Sequence, residues 1–231
     1  MEHTVRYKGT ERLILDGEPL RYSMLDFWCM NYSTILLNMT RGIFAEFLVR
    51  CAMAENGMDT LSSSETGIDP YDIDGPEILT MHGIRSSRIE VKSAASIQID
   101  TPDEKEPLSL SPSQLIFSIR KAIDWQSTSQ EPRRNNDLYV FAHYKATRKS
   151  DNILDLKFWD FYVYPTYKID ENTDTGLSEQ KTISIRRLQM IGLQPVSFRD
   201  LYQEILKVTS DISNHYSQLV NHGGMYDQTN N

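Results

Sequence analysis

The residues best suited to chemistry in this chain are acids. Seven stand between Cys51 and Ile84 (Glu55, Asp59, Glu65, Asp69, Asp72, Asp74 and Glu77), with no Lys or Arg among them. A run of this kind is ordinarily a solvated loop, and the Ser, Thr and Gly around the first four fit that reading. Asp72 and Asp74 differ, because they flank Ile73 in a strand-like stretch after Tyr71. Carboxylates held together out of water repel one another unless a cation lies between them. Mg2+ suits that place, since it binds through one or two carboxylates and keeps several waters. Downstream, Glu90 and Lys92 alternate with Ile89 and Val91. Two residues apart on a strand, they share a face about 6–7 Å apart, with the Val91 backbone carbonyl between them. Asp72 or Asp74 from a neighbouring strand, with Glu90 and that carbonyl, could hold Mg2+ or Mn2+. Lys92 could then orient an attacking water beside a phosphate, which is what metal-assisted phosphodiester hydrolysis requires.

An acid two residues before a lysine is a weak signal alone. The chain has four: Asp103/Lys105, Asp155/Lys157, Glu179/Lys181 and Glu90/Lys92. The first lies in a Pro-flanked acidic loop and the third in a polar linker. Asp155/Lys157 is a true rival, because Asp137 lies 18 residues upstream, as Asp72 lies 18 residues before Glu90. Only Glu90/Lys92 combines an alternating strand, an acid-rich segment before it and small residues (Ser93 to Ser96) after it. The plain structural alternative is a salt bridge between Glu90 and Lys92.

These residues need elements to hold them. Residues 1–21 read as a polar, turn-rich extension with one apolar patch at 13–15. Residues 23–38 read as a buried helix pair or one bent helix. Residues 38–57 predict a strong helix with Thr40 as N-cap, an apolar stripe of Ile43, Phe44, Phe47, Leu48 and Cys51, and a stop at Asn56-Gly57. Strands are expected at 71–74, ended by Gly75-Pro76, then at 77–81, 86–92, 115–119, 138–144 and 158–166. An acidic loop covers 100–112. Helices are expected at 183–192 and at 197–220, the latter capped by Ser197. The tail, 222–231, reads as disordered. Helices before and after a central run of strands indicate an α/β sandwich with a mixed sheet. Neither a GxGxxG nor a Walker loop is present, so a doubly wound nucleotide fold is not expected.

The pattern Asp72 … Glu90-Val91-Lys92 resembles the PD-(D/E)xK superfamily of restriction-endonuclease-like nucleases. LDFW at 25–28, NMTRGIFAEFLV at 38–49, YDI at 71–73, RIEVKSAASIQ at 88–98 and FWDFYVYPT at 158–166 are similar to a group of uncharacterised bacterial proteins of that fold. The resemblance implies a restriction-endonuclease-like sandwich, a central mixed β-sheet flanked by helices, and a Mg2+-dependent deoxyribonuclease. It favours Asp72, the acid directly after Tyr71, over Asp74. It gives Glu46 a supporting place at the metal, where the residues alone suggest a surface pair with Arg50. It gives Gln98 a contact to DNA or water. A non-cleaving DNA-binding or complex-assembly protein on the same fold is the rival reading.

Composition bounds the rest. The 231 residues (26.7 kDa) suit one domain, 1–231, with 39% hydrophobic and 24% charged residues. Two cysteines make neither a disulfide scaffold nor a four-cysteine zinc site. The five histidines show no ligand spacing. No apolar run reaches membrane-spanning length and the start lacks a signal-peptide core, so a cytoplasmic protein without a membrane partner is expected. The net charge of −8 excludes a histone-like coat and leaves DNA contact to local basic residues. Arg133, Arg134, Arg148 and Lys149, in loops beside strands, are the candidates for phosphates. Oligomeric state stays open: a homodimer and a larger defence or restriction complex both fit.

Overall fold

The computed structural model describes residues 7–61, 70–102, 110–124, 130–171 and 176–223. The alternating stretch around Glu90 becomes a long strand, β4 (Gly83–Ala95), with Ile89 and Val91 buried and Glu90 and Lys92 half-buried on the other face. β3 (Ile73–Thr80) pairs with it antiparallel through the turn at Met81 and His82. On the far side of β4, β6 (Leu138–Tyr144) pairs parallel, and β7 (Trp159–Pro165) is antiparallel to β6. The sheet order is β3-β4-β6-β7. β6 and β7 are buried almost throughout, which is why both read as continuous apolar runs.

Helices cover the sheet, as the element order implied. α2 (Asn38–Ala54) and α5 (Leu201–Gly223) lie on one face, packing Ala45, Leu48, Val49 and Ile205 onto Ile89, Val91 and Val140. On the other face, Tyr139, Phe141 and Tyr162 meet Phe117, Ile183 and Leu188. These come from a small sheet of β5 (Ile116–Ser118) and β8 (Thr182–Ser184) and from α4 (Ile185–Met190). The short α3 (Thr166–Asp170) adds Ile169 to that side.

Several expectations are corrected. Residues 12–23 form a hairpin of β1 (Arg12–Leu15) and β2 (Glu18–Ser23) where only a turn-rich extension with an apolar patch was expected. Its turn, Asp16-Gly17, has both residues at positive φ, 52° and 87°, as a two-residue hairpin turn needs. α1 (Met24–Tyr32) is a helix held by a Ser23–Asp26 capping box, but none of its residues is buried. The N-cap of α2 is Leu37, not Thr40, whose hydroxyl is buried without a partner. The inward stripe of α2 is also rotated from the expected one: Arg41, Ala45, Leu48, Val49, Ala52 and Met53 face inward, while Ile43 and Phe47 are exposed. Ala45 and Ala52 let the helix sit close on the sheet, so small side chains win the inner face. β3 does not end at Gly75-Pro76 but runs through it with a register shift between Asp74 and Glu77. The proline is tolerated because β3 is an edge strand. The helix expected at 183–192 is shorter: Thr182–Ser184 form β8, and α4 starts at Ile185, with the Ser184 hydroxyl oxygen accepting from the Arg187 amide. Ser197 opens a turn, its hydroxyl on Asp200 at 2.6 Å, and α5 starts at Leu201. α5 extends to Gly223, past the expected start of the tail; 224–231, and 103–109 of the acidic loop, lie outside the described residues.

Candidate active site

Pairing of β3 with β4 starts at Ile73 opposite Ile89, so Asp72 stands just past the paired edge. Its amide still donates to the Ile89 carbonyl at 3.0 Å. Its carboxylate takes over from the missing strand: Oδ2 accepts from the Val91 amide at 2.7 Å. On a strand the amide and carbonyl of one residue face the same neighbour. The Val91 carbonyl therefore lies along this same vacated edge, beside Asp72.

Two arginines fasten α2 to that edge. Arg41, buried, donates through Nε to Ser93 Oγ at 2.9 Å, and also to Leu36 O and Asn38 Oδ1. Burial lowers its pKa. Arg50 donates to the Asp72 carbonyl at 2.5 Å and to the Thr60 carbonyl at 2.8 Å. Glu46 sits between them on the helix. Burial first, then the Asp72 charge, push its carboxyl up to about 7, while Arg50 and Lys92 pull it back. Asp72 is raised by burial against the help of the Val91 amide, Lys92 and Arg50. Glu90 is raised by burial and by Asp72, opposed by Lys92, with which it forms an ion pair. Three carboxyl groups are thus crowded around one lysine, and burial makes their full ionisation costly.

Hard oxygen donors in excess of local positive charge match a divalent cation. Among the described residues no three His, Cys, Asp or Glu side chains form a ready cage. Glu90 is turned onto Lys92 and Asp72 onto the Val91 amide. Two carboxylates and a backbone carbonyl are nevertheless the small protein share that Mg2+ takes. The donor set fits that ion.

The remaining candidates separate clearly. Asp74 is exposed, opposite Arg88, and accepts from the Tyr71 hydroxyl at 3.1 Å; it is Asp72 that reaches Val91. Gln98 lies past the end of β4, its amide on the Ala95 carbonyl, and none of its described hydrogen bonds reaches the acids. The rival triplet is split. Asp137 enters β6 holding Arg85 at 2.7 and 2.9 Å and the Arg88 amide. Asp155 caps a 3-10 turn (Leu156–Phe158) at the other end of β6, in an exposed pair with Lys157. A seven-residue strand parts them, roughly 20 Å.

Of the expected phosphate contacts, Arg134 is corrected outright. Its side chain is fully buried, bound to Asp170 and to the carbonyls of Ile119, Ser178 and Gln180, so it holds loops together. Arg148 and Lys149 line a separate cavity at the Tyr144 end of β6, away from Glu90, which pairs with Tyr139. Arg133 remains. It lines a cleft of about 110 Å³ with Glu90, Lys92, Tyr139 and Arg120. Arg120 is exposed, without an ion pair among the described residues, and the sequence reading passed over it. Arg41 carried no signal in the sequence. Arg50, four residues after Glu46, was the one signal available, and it was read as a surface charge.

No family model matches the sequence, and no curated protein matches it. Among solved structures there is a likeness to a bacterial homing endonuclease, I-Ssp6803I. It is 16% identical, covers 62% of this chain and 74% of that one, and has a TM-score of 0.31. The reading of the site rests on its own geometry.

Proposed function

We propose that this chain is a Mg2+- or Mn2+-dependent endonuclease of restriction-endonuclease-like fold that hydrolyses DNA phosphodiester bonds, in cytoplasmic restriction or defence. The observation that carries the reading is the strand edge where Asp72 meets Val91 beside Glu90 and Lys92. When bound, the divalent ion would polarise a phosphoryl oxygen and lower the pKa of a water. Asp72, Glu90 and the Val91 carbonyl would be its protein oxygens. Glu46 lies next to this set and takes up or gives back a proton near neutral pH. Released from Glu90, the Lys92 ammonium orients the water and meets the charge that develops on the phosphate. Arg120 and Arg133 line the adjoining cleft and suit a neighbouring phosphate.

The Glu90–Lys92 ion pair favours one rival, a DNA-binding module that never loads metal. Plasmid DNA, with an RNA control, incubated with Mg2+ or Mn2+ separates the two. Wild type is expected to cleave, and Mn2+ to raise its melting temperature through ligand linkage. Asp72→Ala and Glu90→Ala should lose both effects. Lys92→Ala should keep the thermal shift and lose about 10²-fold or more in rate, the size typical of one preorganised charge-stabilising group. Lys157→Ala should change neither. Cleavage lost in Lys157→Ala, or a thermal shift retained in Asp72→Ala, would sink the assignment. DNA binding without cleavage or metal effect would establish the rival.

A further inference from the structure

The hairpin and α1 have almost no core of their own. β1 is exposed at every residue, and α1 buries none. α1 packs on β2, and its Trp28 and Leu25 close over Gly9 in the segment before β1. A two-stranded hairpin alone is marginal in water, and a helix needs roughly 12–15 residues to stand by itself. The Ser23–Asp26 capping box satisfies only the first turn of α1. Such a unit takes its order from whatever covers it.

The surface it presents is large. Nine of the exposed large apolar side chains lie between Tyr7 and Tyr32, among them Ile14 at 71% and Met30 at 77% exposed. Summed over both faces of the hairpin and α1 they offer on the order of 1,000 Å², the scale of the about 800 Å² that each partner gives to a standard interface. The charge is close to balanced: residues 7–37 hold Lys8, Arg12 and Arg21 against Glu11, Asp16, Glu18 and Asp26. The rest of the chain carries most of its net −8. A nucleic acid gains little from a near-neutral surface, whereas two identical near-neutral surfaces meet without repulsion. One edge is open as well. Among the described residues β1 pairs only with β2, and its Leu13-Ile14-Leu15 run has no proline or inward charge to block pairing with another strand.

We infer that the β1–β2 hairpin and α1 form a self-association surface that joins two copies of this chain. Antiparallel pairing of β1 with the β1 of the second copy would continue the two hairpins into one four-stranded sheet. The two α1 helices would then close over it about a two-fold axis, the isologous arrangement usual for dimers. This inference is independent of the nuclease reading.

Sedimentation velocity tests it, with the full chain, over about 1–100 μM, where interfaces of this size commonly associate. Wild type is expected to be a dimer. Ile14→Lys puts a charge on the open edge, and Met30→Glu puts one on α1. Both side chains are exposed, so the folded core is untouched. Each variant should shift the mass to monomer by at least a tenfold weaker association, with unchanged far-ultraviolet circular dichroism. Each should keep whatever Mn2+-induced thermal shift wild type shows, so a failed metal site and a failed interface are told apart. A wild type that is monomeric over the whole range overturns the inference and leaves the surface to a different protein. Variants that both stay dimeric overturn it too, by placing the interface elsewhere.

Discussion

Glu46 is where burial and chemistry meet most closely. Its carboxyl titrates near 4.5 when unfolded and near 7 in the folded chain, through burial and the Asp72 charge. Between those values the folded protein binds a proton that the unfolded chain has released. The stability this group contributes is therefore complete below about 4.5 and is lost as pH rises through about 7. Asp72 and Glu90 shift in the same direction and add to the effect. In chelator, the melting temperature is expected to fall by several degrees from pH 5 to pH 8, at about 2–4 °C per kcal/mol for a chain of this size. Glu46→Gln keeps a neutral side chain at every pH and should flatten that fall while leaving the value at pH 5 nearly unchanged. Equal slopes for variant and wild type in thermal melts would show that Glu46 does not feel the cluster. From the residues alone Glu46 and Arg50 read as an i,i+4 pair, and only the family resemblance set Glu46 beside the other acids. Arg50 instead turns to the carbonyls of Asp72 and Thr60, partners that exist only once the sheet is built.

At the scale of elements, the β3–β4 pair decides whether the acids meet. The register shift between Asp74 and Glu77 sits at Gly75, where a Cβ would come within 2.5 Å of Ser87 Oγ and 2.7 Å of Ile89 Cδ1. Any Cβ there must displace the Ser87 and Ile89 side chains of the strand that carries Glu90. Gly75→Ala is therefore expected to cost about 1–3 kcal/mol, the usual range for forcing atoms into a packed core. Ser87 Oγ is buried without a partner, so Ser87→Gly removes the nearest obstacle at little loss. The double variant should recover part of the stability in urea denaturation, a coupling expected of side chains in contact. Strict additivity would mean that the close approach is not the cause. The legible elements were those with one strong pattern. β4 showed its period of two, so the Glu90–Lys92 face could be read directly, and β6 and β7 showed unbroken apolar runs. The inner face of α2 was hidden, because Ala45 and Ala52 face the sheet while the larger Ile43 and Phe47 do not. The hairpin was missed despite its Asp16-Gly17 turn, because its strands bury nothing and so carry no hydrophobic alternation.

For the molecule as a whole, the balance of charge sets how it can meet a polyanion. A net charge of −8 repels DNA at long range, so any attraction must be local. The buried and paired arginines cannot supply it: Arg134 is enclosed with Asp170, Arg85 is neutralised by Asp137, and Arg41 is spent on Ser93 and the start of α2. Of the cations lining the cleft beside Glu90, Arg120 has no ion pair among the described residues, while Arg133, half-exposed and 3.4 Å from Asp124, and Lys92, on Glu90, would turn from those carboxylates to meet phosphates. Two or three phosphate contacts give a modest salt slope, about −0.9 in log K per log salt for each contact on duplex DNA. Binding to random duplex should thus be weak at physiological salt and fall about 10- to 50-fold between 50 and 200 mM. A divalent ion among Glu46, Asp72 and Glu90 would cancel much of the local negative charge, so binding should strengthen in Ca2+, which supplies the charge with little expected cleavage. Arg120→Ala and Arg133→Ala should each reduce the slope by about one, the signature of a lost phosphate contact. Fluorescence anisotropy across a salt series reads both quantities. A slope steeper than about −6 would require more cations than the cleft holds and would move the DNA path to another face. A slope near zero, with binding still present, would mean that the complex does not depend on phosphates at all. Either result would leave the acids of β3 and β4 without a substrate delivered by this cleft, however well they held a metal.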